Sequence, residues 1–223
     1  MVINLKSLLD LYDHKTKNNI GCVSAINGMI GEDLAVALFL DYARRKNLNP
    51  SIVSEKCTPG ESKGVRLDRW LSVQDGNKVI YYQTEIKNWT AHSYRGKSLP
   101  KNLDEEGMKK YRKDRWGQRF DVSNHCLLDT SANKVLVPMK LDATIPIDTE
   151  IRPLIIFWEA MHPEGSSEEF FSHPVSGKDF DELWVFSMSN YVRNLIDNDK
   201  VTSIEVNMPA VDARIQWLNT VCE

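Results

Sequence analysis

Apolar positions in MIGEDLAVALFLDYARRK, residues 29–46, run almost all round the helical axis from Leu34 to Leu40. They predict a buried helix that Asn47 to Pro50 terminate. Three runs rich in β-branched, aromatic and apolar residues follow at 51–57, 64–73 and 78–89, each reading as a strand. Gln74-Asp75-Gly76-Asn77 joins the last two, and its Asp-Gly step predicts a tight turn that pairs them as a hairpin. A loop over 90–102 leads to a charged helix at 103–120, with acids in its first turn and bases later, the order the helix dipole favours. Further strands are expected at 134–139, 152–161, 182–189 and 203–208. A terminal helix at 210–221 would carry Val211, Ile215, Leu218 and Cys222 on one face, and residues 1–12 read as a short amphipathic helix. Helix, three strands, helix and more strands predict an α/β fold with a central mixed sheet flanked by helices. The chain reads as one domain, 1–223, with a core in 29–120 and a sheet extension plus C-terminal helix in 121–223. That second part is also the expected source of a homodimer or specificity surface.

Length and composition leave this picture intact. A chain of 223 residues, 42% hydrophobic and 26% charged, can bury a substantial core and lies outside the disordered range. No apolar run approaches the roughly 20 residues of a membrane span, and the N-terminus lacks a signal-peptide layout. The four cysteines are scattered without a CxxC pair, so neither a disulfide framework nor a zinc knuckle is expected. The expectation is a cytoplasmic protein without a membrane partner, in which the Asn88-Trp89-Thr90 sequon carries no meaning. Net charge is −3, yet residues 95–119 hold nine Lys/Arg against four Asp/Glu. Such asymmetry fits an anionic partner, and equally a solvated helix face.

Charge changes the picture most at the third strand, VIYYQTEIKNW. Glu85 and Lys87 are two residues apart and so point to one face of it. Burying a carboxylate beside an ammonium is costly unless other groups offset it. The pattern [Asp/Glu]-x-Lys occurs three times, as Asp13-x-Lys15, Glu61-x-Lys63 and Glu85-x-Lys87. The first two stand in polar, turn-like stretches where charges are solvated. Only the third lies on an apolar strand, and only it has an acid, Asp68, on the expected hairpin partner. The plain reading pairs Glu85 with Lys87 on a half-exposed sheet face. The alternative is a site: carboxylates offer oxygen ligands to Mg²⁺, the cation that phosphodiester hydrolysis commonly uses.

The set resembles the PD-(D/E)XK nuclease superfamily, the fold of many restriction endonucleases, junction resolvases and recombination exonucleases. The likeness covers residues 29–120. It implies a restriction-endonuclease-like core in which an acid on the second core strand and the Glu-x-Lys of the third hold Mg²⁺, with Mn²⁺ able to substitute. Carried over, Asp68, Glu85, the Ile86 carbonyl and Glu32 of the preceding helix would bind the metal. Lys87 would hold the attacking water or offset charge on the phosphate. Leu67 stands where some members carry Pro, and Gln118 is the loose candidate for a glutamine motif on the following helix. The implied activity is endo- or exonuclease action on nucleic acid, DNA rather than RNA, of the kind used in restriction, phage defence or DNA repair. A fold that binds nucleic acid without cutting is the degenerate version.

A second motif competes. AHSYRGKS, residues 91–98, follows a strand and fits a relaxed Walker A pattern with Ala91 for the first glycine, while LIIFWE ends in Glu159 as a Walker B strand would. That reading makes the chain a nucleotide-binding NTPase or ligand sensor. Under the nuclease reading the same loop faces substrate, with Arg95, Lys97 and Lys101 reaching phosphates. Lys109, Arg112 and Lys113 of the charged helix would add backbone contacts, and Tyr111 and Trp116 would face the core. The five histidines form no metal spacing, and His92 is the one nearest the motif.

Overall fold

The computed structural model describes residues 1–13, 20–54, 66–87, 99–100, 102–176 and 179–222, with the side chains of 20–24 and 222 set aside. Strands β2 (Asn49–Ser54), β3 (Arg69–Asp75), β4 (Lys78–Lys87), β7 (Glu150–Phe157), β9 (Glu182–Ser187) and β8 (Phe170–Pro174) form, in that order, a six-stranded sheet. β2, β3 and β4 make an antiparallel meander, β4, β7 and β9 run parallel, and β8 closes the far edge antiparallel. The architecture is mixed α/β. The turn between β3 and β4 needs only Gly76 and Asn77, since Asp75 faces Lys78, and Gly76 takes the left-handed φ of 57° that a glycine accommodates without strain.

Alternation along the strands divides two cores between the faces of this sheet. Leu71, Val73, Tyr82, Ile86, Leu154 and Ile156 pack on one side. They meet helices α1 (Leu5–Asp13), α2 (Ile20–Arg45) and α4 (Met188–Asp197), with Phe39 of α2 edge-on to Tyr82 and Phe186. Trp70, Ile155, Phe157 and Val185 pack on the other side, against Trp116 of α3 (Glu105–Arg119), Phe120 and Val135. Asp104 caps α3, its carboxylate accepting from Gly107 N at 2.8 Å.

Several sequence expectations need correction. Residues 134–139 are not a sheet strand. Ala132–Leu136 form a 3-10 turn laid over the face of β4, and fully buried Gln83 holds the segment there. Its amide donates to the Val135 and Val137 carbonyls and accepts from Met139 N at 3.1 Å, so one side chain does what a ladder would otherwise do. The run at 182–189 stops at Ser187, whose hydroxyl accepts from Asn190 N and starts α4, a helix absent from the sequence reading. β8 was likewise not anticipated; it is a five-residue edge strand closed by Pro174. β10 (Ser203–Glu205) pairs with β1 (Val2–Asn4) in a separate ribbon, and β5 (Phe120–Asp121) pairs with β6 (Cys126–Leu127) in another. Helix α5 (Pro209–Cys222) buries Val211 but leaves Ile215 and Leu218 exposed, along with Trp217 and Val221. Among the described residues no helix is long and apolar enough to cross a membrane.

Candidate functional site

The Glu-x-Lys motif stands at the end of β4. Arg69 faces Thr84 in the last antiparallel pair of the β3–β4 ladder, and Asp68, one residue earlier, lies against the end of β4. Asp68 N donates to the Thr84 carbonyl at 3.0 Å, and Asp68 Oδ2 accepts from Ile86 N at 2.7 Å. The carboxylate thus caps the ladder where β3 begins. Both main-chain groups of an antiparallel residue face the same neighbour, so the Ile86 carbonyl shares this side.

Glu85 points into the second core's side of the sheet and is 2% exposed. Its Oε1 lies 2.7 Å from Lys87 Nζ, so the motif's acid and base pair with each other. Its Oε2 lies 2.9 Å from Lys134 Nζ, an ion pair by distance, yet no hydrogen bond of acceptable geometry reaches that buried oxygen among the described residues. Lys134 also donates to the Arg66 carbonyl at 2.7 Å. Burial first, and then repulsion from Asp68, push the Glu85 carboxyl above its ordinary value; Lys87 and Lys134 oppose them without prevailing. Asp129 joins from the loop before the 3-10 turn. Burial works against its ionised form, but the Ser131 hydroxyl and amide, and then Lys87, hold its carboxyl below the ordinary value.

Glu32 is coupled to this group without joining it closely. Its side chain is 58% exposed and lies 3.5 Å from Arg69, which also reaches Asp33. Burial, followed by the charge of Asp68, raises its carboxyl. Among the described residues no three His, Cys, Asp or Glu side chains are arranged to hold a metal. What stands together is two carboxylates, Asp68 and Glu85, one main-chain carbonyl and two ammonium groups. Two carboxylates still suit Mg²⁺, which keeps several waters and shares its shell with substrate phosphates. The oxygen of Glu85 that lacks a well-formed hydrogen bond fits the same role.

Other expected residues are distributed differently. Lys109 and Lys113 are exposed on α3. Arg112 is not a surface contact: it is buried, its Nε donating to Asn190 Oδ1 at 3.1 Å, because α3 turns its arginines inward. Arg115 and Arg119 clamp the fully buried Glu159 at 3.2 and 2.7 Å, and Trp116 stacks on Phe120. Asp13 is not solvated either; Trp158, Ser189 and Arg193 all donate to its buried carboxylate. Arg95, Lys97, Lys101, His92 and the whole Walker-like stretch 91–98 lie outside the described residues, as does Glu61. Sequence reasoning missed Lys134 and Asp129, which no spacing ties to the strand motif. No family model matches this chain, and no curated protein or solved structure is significantly similar to it.

Proposed function

We propose that the protein is a metal-dependent phosphodiester hydrolase acting on nucleic acid, DNA in preference to RNA, on a restriction-endonuclease-like core. The observation that carries this reading is the buried Glu85 at a strand end, with Asp68 near enough to repel it and Lys87 beside it. Further support is the order of elements, in which a helix precedes an antiparallel meander with the acid at its second strand and Glu-x-Lys on its third.

Asp68 and Glu85, with the Ile86 carbonyl, are the residues that would hold Mg²⁺ or Mn²⁺, and Glu32 stands within electrostatic reach of Asp68. When bound, such an ion polarises the phosphate and lowers the pKa of a coordinated water. Lys87 orients that water or offsets charge gathering on the phosphate. Lys109 and Lys113, with Arg95, Lys97 and Lys101 earlier in the chain, contact the nucleic-acid backbone. The NTPase reading is the weaker one, because Glu159, its metal-binding acid, is committed to Arg115 and Arg119.

Thermal melting tests the metal site. Mn²⁺ at about 100 times its dissociation constant stabilises a one-site protein by about 2.7 kcal/mol. For a chain of this size that corresponds to a rise of roughly 5–10 °C. Asp68→Asn keeps an oxygen to accept from Ile86 N, so it folds, and it should show no rise. An equal rise in that variant would place the cation elsewhere and overturn the assignment.

A further inference from the structure

Lys134 reaches the site from a different layer of the molecule than the strand motif. The 3-10 turn that carries it is fixed over β4 by Gln83, and its ammonium spans Arg66 O at 2.7 Å and Glu85 Oε2 at 2.9 Å. It approaches Glu85 at 2.9 Å on the oxygen that Lys87 leaves to it, an oxygen without a well-formed hydrogen bond among the described residues. The side chain is 28% exposed, so it can withdraw into water without disturbing the core beneath. A buried carboxylate facing another carboxylate needs a counter-charge, and Lys134 supplies one that is easily displaced.

We propose, resting on the metal reading above, that Lys134 is a stand-in cation: it neutralises Glu85 Oε2 until a divalent ion takes that oxygen, and it leaves when the ion binds. Metal and lysine therefore compete for one atom. Lys134 acts as a counter-charge to the Glu85 carboxylate and as a competitor of the incoming ion, and it is not itself a ligand.

The test is a Mn²⁺ titration followed by melting temperature for wild type, Lys134→Met and Lys134→Arg. Lys134→Met should reach half-saturation at about one-tenth of the wild-type concentration, the scale for removing one unit charge about 4 Å from the site. Lys134→Arg, which keeps the charge, should titrate like wild type. A purely structural lysine would lower the melting temperature of Lys134→Met and leave the midpoint unmoved, so midpoints within about twofold overturn the proposal. Should the wild type show no Mn²⁺ response, the metal reading falls and this inference with it. The wild-type protein offers a check that does not depend on variants folding. Adding Mg²⁺ should shift the NMR resonances of the Lys134 side chain, and their constancy through saturation would overturn the proposal.

Discussion

Lys87→Ala is expected to lose nucleic-acid cleavage by two or more orders of magnitude while still folding and binding its substrate. Losses of about 10²- to 10³-fold follow removal of one positioned electrostatic group at a reacting centre. Lys87 is the last residue of β4 and its side chain is 17% exposed, so the space its removal leaves opens to water at the strand end. Glu85 keeps Lys134 as a partner, which protects the fold from a bare buried charge. Under the proposed reading the ammonium acts on charge that develops at the phosphate, so the loss should fall on turnover and not on affinity. The same reading makes Lys97 one phosphate contact among several, so Lys97→Ala should bind more weakly and still cut. Single-turnover cleavage and equilibrium binding, measured on both variants purified side by side, separate the two roles. If Lys97→Ala stopped the reaction and Lys87→Ala spared it, the Walker-like stretch 91–98 would be the reactive centre instead.

Glu85→Gln should abolish cleavage and the metal-dependent rise in melting temperature, yet make the metal-free protein more stable at neutral pH. Burial and the Asp68 charge raise the Glu85 carboxyl in the folded state, so folding favours its protonated form. The favourable contribution of a raised carboxyl is complete below its unfolded pKa. It is lost as pH rises through the elevated folded value. At pH 7–8 the wild type therefore carries an ionised group that folding disfavours, whereas glutamine carries none. Below about pH 4 both side chains are neutral in both states and the difference disappears. Melting temperatures in chelator from pH 4 to 8 read this directly. A glutamine variant less stable than wild type at pH 7–8 would mean that Lys87 and Lys134 outweigh burial, and the cause given for the shift would be wrong.

Local signals made the hairpin and the motif readable. Asp75-Gly76-Asn77 sets the turn, the turn sets the register, and the register carries Asp68 to the end of β4, near Glu85. None of this needs the rest of the fold. Lys134 was hidden for the opposite reason: Val135, Leu136 and Val137 have the composition of a strand, and only the buried amide of Gln83, about fifty residues away, converts them into a cover for the sheet. Asp13 looked solvated because His14 and Lys15 follow it, while its partners Trp158 and Arg193 arrive from 145 and 180 residues away. The basic stretch misled in a third way. Of its nine Lys/Arg, Arg112, Arg115 and Arg119 turn inward, so the count of charges along the chain overstates the field at the surface. Guanidinium groups defined the inner face of α3, where a search for apolar periodicity finds little.

The central claim is that Asp68 and Glu85 hold a divalent cation for phosphodiester hydrolysis, and cleavage itself tests it most directly. Purified wild type and Asp68→Asn are to be incubated with supercoiled plasmid, linear duplex, single-stranded DNA and RNA, each with Mg²⁺, with Mn²⁺ and with chelator. The account predicts that the wild type cuts at least one DNA substrate with either metal, stops in chelator, and loses activity by two or more orders of magnitude in Asp68→Asn. A wild type inert on every substrate with both metals, or an Asp68→Asn variant that cuts as fast as wild type, would contradict it.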